Sequence, residues 1–260
     1  MPKKKRQDRL SRIIATLQET HGATIRELAD QLAVSEMTIR RDLEQLEAEH
    51  VVRLLHAGAI LAPAGLQGVR RVFSLAEGES AGAAERMRIG RKAASLVEPG
   101  DVAILDSGAA AEWLARSLPP DLAATVLCYS LNILVEARRK PGVSVVAAGG
   151  VLREDTLVFE SAEGVALIRR YRANKAFLCA GGVSGRLGVT CLESSEAELR
   201  KAALASSQVR ILLADSGAFG KVLPAWFADL KDFDAIVTDT GVSLEYVEIV
   251  RDLGIALHAV

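Results

Sequence analysis

The sequence predicts an α/β protein in two parts: a small N-terminal winged helix-turn-helix domain over residues 1–61, and a larger doubly wound, mostly parallel α/β domain over residues 83–260. Residues 62–82 form the linker between them. Three observations carry this reading. Short segments with helical apolar spacing fill the start of the chain. From Val102 onward, apolar runs alternate with helical patterns. A proline- and glycine-containing break, Pro63 to Gly68, lies between the two regimes.

Arg9, Ile13 and Leu17 recur every four residues, which predicts a first helix over roughly Gln7 to Thr20, ended by His21-Gly22. Thr24 caps a second helix whose buried stripe is Ile25, Leu28, Ala29 and Leu32, and Ala33-Val34 makes a tight turn out of it. Ser35 caps a third helix, with Glu36 near its positive end. At about 100° per residue, Ile39, Leu43 and Leu46 share one face; Met37, Thr38, Arg41, Glu44 and Gln45 share the opposite one, with Arg40 on the flank. A polar face with two arginines near the helix start suits a DNA major groove, and taken alone it suits a solvated surface equally well. The setting favours DNA, because helix, tight turn and polar-faced helix make a helix-turn-helix. Val51 to Leu55, turned by Ala57-Gly58-Ala59 into Ile60-Leu61, predicts a two-stranded hairpin, or wing, that brings Arg53 and His56 within reach of phosphate. Lys3, Lys4, Lys5, Arg6, Arg9 and Arg12 crowd the chain start, as a phosphate-binding arm or a solubilising tail; the adjoining helix-turn-helix favours the arm.

Composition narrows the classes. Net charge is −1 and the pI about 6.5, so a nucleic-acid site has to be local. Cys128, Cys179 and Cys191 are far apart and form no Cys-x-x-Cys, which fits small core residues in a reducing compartment. Neither a signal peptide nor an apolar run of about 18 residues is found, so no membrane span and a cytoplasmic location are expected. His21, His50, His56 and His258 lack metal-ligand spacing, and neither a metal nor another cofactor is expected.

In the larger part, apolar runs at Val102–Leu105, Thr125–Leu127, Val143–Ala147, Ala176–Ala180, Val209–Ala214, Ala235–Thr238 and Ala256–Ala259 read as strands. Helical patterns fall at Ala83–Val97, Ala110–Leu118, Leu131–Arg139, Glu163–Tyr171, Ser194–Ser206 and Ser243–Leu253. Ligands of such sheets sit beyond the carboxyl ends of the strands. Polar and glycine residues gather there: Asp106-Ser107-Gly108, Tyr129-Ser130, Gly149-Gly150, Gly181-Gly182 and Asp215-Ser216-Gly217. Ser107-Gly108, opening a helix through Ala109 and Ala110, suits an anion because free N–H groups point outward. Any one such loop needs glycine and serine merely to turn, and the convergence of several on one edge is what favours a site. Gly181-Gly182-Val183-Ser184-Gly185 lacks dinucleotide-binding spacing, and no Walker A or serine-elbow motif occurs.

Arg9-x3-Ile13-x3-Leu17, a gap of 17 residues, and Ser35-x2-Thr38-Ile39-Arg40-Arg41-Asp42-Leu43 resemble the signature of the DeoR family of bacterial transcriptional regulators. The wing, Arg53-Leu54-Leu55-His56-Ala57-Gly58-Ala59, is similar to that family's Arg-x-x-His-Gly-Gly-Ala, with alanine for the first glycine. Asp42 reads as a structural partner for a nearby base, since phosphate repels a carboxylate. The likeness extends to Ile89-Gly90-Arg91-Lys92, Leu105-Asp106-Ser107-Gly108, Gly149-Gly150, Ala176-Phe177-Leu178, Gly188-Val189-Thr190, Asp215 with Phe219-Gly220, and Thr238-Asp239. It implies a C-terminal domain of ribose 5-phosphate isomerase type that senses small molecules, commonly phosphorylated sugars. Several positions depart from the family pattern. Ala109-Ala110 stands where the family has Thr-Thr, Cys128-Tyr129 where it has Thr-Asn, Ala218 where it has lysine, and Arg86 for the lysine ahead of Ile89. Each lost donor weakens an anion site by about 0.5–3 kcal/mol, depending on its charge. Arg86, Arg200 and Lys201 or Lys221 are candidate replacement cations. An altered effector, a repositioned phosphate site and a vestigial pocket all fit, and the remaining polar loops favour the first two.

The expected function is a sequence-specific DNA-binding repressor governed by a sugar phosphate or related metabolite. The expected DNA contacts are Ser35, Met37, Thr38, Arg40, Arg41, Gln45, Arg53, His56, Lys3, Lys4, Lys5 and Arg6. The expected effector residues are Arg86, Asp106, Ser107, Gly108, Ala109, Ala110, Tyr129, Ser130, Gly149, Gly150, Gly181, Gly182, Glu196, Asp215 and Lys221. Useful operator affinity calls for paired half-sites, hence a dimer or higher homo-oligomer. The alternative is a sugar-phosphate isomerase with an attached DNA-binding module, using Asp106, Asp215 or Glu196 as acid and base, although strand-end caps or ligand acceptors are their more ordinary roles.

Overall fold

The computed structural model describes residues 2–20, 22–48, 51–55, 57–61 and 82–260; within the first helix, the side chains of residues 2–5, 7, 8, 18 and 19 lie outside the description. Helix α1 (Pro2–Thr20) begins at Pro2 rather than Gln7. Proline suits a helix start because its missing N–H would have no partner there anyway. After α1 come β1 (Ala23–Thr24), α2 (Ile25–Leu32), α3 (Glu36–Ala48), β2 (Val52–Leu54) and β3 (Gly58–Leu61). The Thr24 hydroxyl accepts the Glu27 N–H while the Glu27 carboxylate accepts the Thr24 N–H, a reciprocal cap that fixes the start of α2. Ala33, at φ 53°, ends α2 in the left-handed region and supplies the tight turn.

The wing has three strands in the order β1-β3-β2, where the sequence predicted two. Gly58 explains the addition. A Cβ there would lie 2.1 Å from the Ala23 carbonyl oxygen, so only glycine admits the β1 backbone. Ile13, Leu17, Leu28, Ile39, Leu43 and Leu46 form the core beneath, as the helical spacing predicts.

The larger part runs α4 (Ala83–Ala94), β4 (Val102–Leu105), α5 (Ala109–Ser117), β5 (Ala124–Cys128), α6 (Leu131–Arg138), β6 (Val143–Ala147), β7 (Val151–Leu152) and β8 (Phe159–Glu160). It continues with α7 (Ala162–Arg170), β9 (Ala173–Cys179), β10 (Gly182–Ser184), β11 (Gly188–Cys191), α8 (Ser194–Ala205) and β12 (Ser207–Leu213). It ends with β13 (Ala225–Ala228), β14 (Ala235–Thr238), α9 (Leu244–Asp252) and β15 (Ala256–Ala259). All seven apolar runs fall in one seven-stranded sheet of order β15-β14-β12-β9-β4-β5-β6, and every pairing in it is parallel.

Strand alternation divides the core between the two faces of the sheet. Leu105 and Phe177 pack with Ile89, Leu114 and Ile133 of α4, α5 and α6. Their neighbours Ile104, Ala176 and Leu178 pack with Ile168, Leu199 and Val250 of α7, α8 and α9. Gly90 lets α4 press on α5, since a Cβ there would meet the Trp113 Cβ at 2.4 Å.

Two small antiparallel additions, β10-β11-β13 and β7-β8, were not anticipated from sequence. The order of the main sheet matters for function. The chain leaves β4 outward through β5 and β6, then returns to β9 on the other side of β4. A crevice at that reversal, beyond Leu105 and Cys179, is where a parallel sheet receives a ligand.

Candidate DNA-binding face and candidate effector site

Helix α3 separates two kinds of side chain. Ser35 accepts the Thr38 N–H at 3.3 Å and shares a hydrogen bond with the Thr38 hydroxyl at 2.9 Å, closing the first turn. Arg40, Arg41 and Met37 are exposed, whereas Thr38 and Gln45 are half-buried, so the outward face is led by the two arginines. Arg53 is exposed on β2. His56 lies outside the described residues, as do the side chains of Lys3, Lys4 and Lys5, although their backbone opens α1.

Asp42 points inward and is only 1% exposed. It accepts from Arg9 Nε at 2.5 Å and Nη2 at 3.2 Å, and from half-exposed Arg6 Nε at 3.3 Å. The hydrogen bond from Arg9 to Asp42 raises the guanidinium pKa further. Asp42 is therefore the structural partner expected from the sequence, and Arg6 spends one donor on it. Met37, Arg40 and Arg41 remain presented on one side of a capped helix, the geometry with which an arginine reaches paired acceptors on a guanine edge.

At the sheet reversal, Asp106 is 0% exposed and gathers its neighbours. Oδ1 accepts the Tyr129 hydroxyl at 2.6 Å, the Ser107 N–H at 2.7 Å and the Ser107 hydroxyl at 3.3 Å. Oδ2 accepts the Cys179 N–H and Arg200 Nε, both at 2.7 Å. Arg200 also donates to Glu196 at 2.7 Å and to the Ser107 hydroxyl at 3.3 Å. Burial alone would lower the Arg200 pKa, but Asp106 and Glu196 outweigh it and hold the guanidinium charged. Burial, and then the Asp106 charge, push the Tyr129 phenol well above its ordinary pKa, so it stays a donor. Tyr129, in place of a shorter polar residue, thus reaches Asp106 from the end of the neighbouring strand β5. The cysteines are inert at neutral pH, since burial pushes Cys128 and Cys179 to about 12 and Cys191 to about 11.

Gly108 begins α5 at φ 124°, and a Cβ on it would meet the Cys179 sulfur at 3.1 Å. Ala109 and Ala110 form the first helical turn behind it, and the Ala111 N–H turns to the Cys179 thiol.

The remaining candidate residues fall into separate groups. Arg86 lies 3.6 Å from Asp215, beside the crevice-side 3-10 turn that Asp215 opens. Gly182 packs against the Lys221 backbone and Gly181 against Leu223, with the Lys221 side chain exposed. Ser130 is fully buried at the start of α6. Gly149 and Gly150 line a groove of about 330 Å³ with Ser161, Glu163, Gly164 and Leu167, and none of the Asp106 group borders it. A wider groove of about 600 Å³ lies between α7 and α8. Among the described residues the structure therefore joins Asp106, Ser107, Tyr129 and Glu196 in one cluster, through Arg200. The Glu196–Arg200 spacing of one helical turn was the available signal; the partner just past β4, Asp106, is 94 residues away.

A helix-turn-helix with an arginine-led outer face, joined to a doubly wound domain with a polar cluster at its reversal point, defines a DNA-binding regulator with a sensor domain. Residues 9–63 match the DeoR-like helix-turn-helix domain and residues 82–240 the DeoR C-terminal sensor domain. The chain belongs to the DeoR family of transcriptional regulators. It is 31% identical over 253 residues to the HTH-type transcriptional regulator YulB of Bacillus subtilis, covering 97% of this chain and 96% of that one. It is 30% identical over 244 residues to the deoxyribose operon repressor of Escherichia coli, covering 94% of each. Ribose 5-phosphate isomerase A of Methanocaldococcus jannaschii aligns over 54% of this chain and 55% of its own, at 16% identity and a TM-score of 0.41. No helix among the described residues is long and apolar enough to cross a membrane.

Proposed function

We propose that this regulator is a repressor that reads its operator with α3 and releases it in response to a small metabolite, a phosphorylated sugar or a related compound, bound at the carboxyl edge of the parallel sheet. The exposed pair Arg40 and Arg41 on a capped helix carries the DNA assignment. Arg41, with Thr38, Met37 and Gln45, faces bases; Arg40, Arg53, His56, Arg6 and Lys3 to Lys5 hold phosphates. Operator DNA is bound by a dimer or larger homo-oligomer, because a single module buries little surface. The named repressor among the relatives supports repression, and its deoxyribose operon supports a sugar-related signal.

The effector reading departs from a simple phosphate clamp. Arg200 is already bound by Asp106 and Glu196 and Arg86 is paired with Asp215, so an anionic ligand is met by Lys221 and the N–H groups from Gly108 to Ala110, and by Arg86 where the ligand takes the place of Asp215. The same network argues against an isomerase, since Asp106 already accepts from Ser107, Tyr129, Cys179 and Arg200 and is closed to solvent.

The test is mobility shift against DNA flanking its own gene. Arg41→Ala is expected to weaken sequence-specific binding by about 1–3 kcal/mol, roughly five- to 150-fold, and to relax the preference at one base position. Unchanged affinity and preference would sink the base-contact assignment. A thermal-shift comparison of sugar phosphates with the corresponding free sugars sorts the effector classes.

A further inference from the structure

The short hairpin that leaves the crevice does not end in solvent. Strands β10 and β11 pair from Gly182 with Thr190 to Ser184 with Gly188, and the tip holds Gly185, Arg186 and Leu187. The Ser184 hydroxyl accepts the N–H groups of Arg186 at 3.3 Å and Leu187 at 3.1 Å, while Gly188 turns at φ 79°. The tip is thus a tight, internally bonded turn. Its two large side chains both reach the DNA-binding domain.

Arg186 Nη1 meets Glu27 Oε1 at 2.5 Å. Glu27 is the residue whose other carboxylate oxygen accepts the Thr24 N–H at 2.9 Å in the cap of α2. Leu187 is only 5% exposed although it sits at a hairpin tip. A Cβ on Gly22 would lie 3.0 Å from the Leu187 Cδ1 and 3.0 Å from the Ile60 Cγ2, so the leucine methyl rests on the turn between α1 and β1, beside the wing.

The base of the hairpin is anchored at the sensor site. The Thr190 hydroxyl donates to the Gly182 carbonyl at 3.2 Å and accepts the Leu223 N–H at 2.9 Å. Strand β9 runs into the hairpin through Cys179, whose N–H is held by Asp106. The β9 and β10–β11 backbone, closed at its end by the Arg186–Glu27 side-chain pair, therefore joins the Asp106–Arg200 cluster to the first turn of α2, which packs on the reading helix α3.

We infer that the tip of the β10–β11 hairpin is the surface by which the sensor domain docks on the DNA-binding domain, with Arg186 and Leu187 as positioning residues that hold the start of α2. The partner is a segment of the same chain, recognised by one charge and one apolar side chain. The docking stands apart from which bases α3 reads and from which effector binds.

Hydrogen exchange on the full-length protein tests it. Without DNA, the amides of residues 25–28 are expected to exchange about two- to fivefold faster in Arg186→Glu and Arg186→Ala than in the wild type, the range of a half-exposed ion pair. Arg186→Lys, which keeps the charge, retains wild-type protection. Arg251→Glu, an exposed charge reversal on α9, leaves these amides unchanged. Adding DNA from upstream of its own gene is expected to alter exchange of amides 184–190 in the wild type and not in Arg186→Glu, as reciprocal linkage requires. Equal exchange at residues 25–28 in the wild type and Arg186→Glu would overturn the docking. So would hairpin amides indifferent to bound DNA. Failure to bind that DNA at all would count against the operator reading, and the DNA-free comparison would still decide the docking.

Discussion

Arg200→Met removes the guanidinium at the centre of the buried cluster, which also lies over the Phe227 ring, while keeping most of the side chain's apolar length. Asp106 and Glu196 each lose a donor at 2.7 Å, and Asp106 has no solvent to replace it. Taking one partner from a buried pair costs about 3–5 kcal/mol. Asp106 keeps donors from Ser107, Tyr129 and Cys179, and Glu196 lies nearer the surface, which places the expected loss at the lower end, about 3 kcal/mol. The chain's two tryptophans, Trp113 and Trp226, both belong to the sensor domain, so their fluorescence during urea unfolding follows that domain alone. At a slope of about 2 kcal/mol/M the midpoint falls by roughly 1.5 M. Arg210→Met, which breaks the surface pair with Asp234, is the comparison and should cost less than about 1 kcal/mol. If the two variants unfold at the same urea concentration, the Asp106–Arg200–Glu196 network does not hold the domain as described.

Three further outcomes rest on separate contacts. Asp42→Ala strips Arg9 and Arg6 of their shared acceptor and is expected to destabilise the N-terminal domain by about 2–3 kcal/mol; far-UV circular dichroism of the melt, where α1 to α3 contribute, reads it. Ala33→Gly relieves a left-handed alanine and is expected to stabilise the same domain by about 0.5–1 kcal/mol, with a lower melting temperature as the contrary result. Burial pushes the Asp239 carboxyl up, yet the N–H groups of Ser216 and Gly241 outweigh it and hold its pKa below 3.8. Its contribution is therefore complete above the unfolded value and is lost as pH falls through the lower folded one. The melting-temperature gap between wild type and Asp239→Asn should be full near neutral pH and narrow as pH falls through and below the ordinary carboxylate range, and a constant gap would contradict the assignment.

The parallel sheet was legible because its inner strands are covered on both faces and so read as unbroken apolar runs, as at Val102–Leu105 and Ala235–Thr238. The helices of the DNA-binding domain were legible for the converse reason, a one-sided stripe such as Ile39, Leu43 and Leu46. Strands β1, β7, β8, β10, β11 and β13 were not, because pieces of two to four residues have no period of their own and exist through their partners. Ala23–Thr24 becomes a strand only because Gly58 admits it. In the candidate effector site, sequence located Asp106, Tyr129 and Glu196 as strand-end and helix-start polar residues but weighed Arg200 merely as a replacement cation. The structure turns that residue inward, which no local spacing could show.

The pairing of Arg9 and Arg6 with Asp42 has a consequence for how operator binding responds to ionic strength. Each phosphate neutralised by a protein cation releases condensed counterions and adds about 0.9 to the slope of log affinity against log salt. A guanidinium already neutralised inside the protein releases none. Arg9 is held by two hydrogen bonds to Asp42, and Arg6 by one, so the basic residues of α1 overstate the charge that DNA meets. With the contacts proposed above, Arg9 adds nothing to that slope and half-exposed Arg6 less than a full charge, so the slope is expected to be shallower than a count of the N-terminal cations implies.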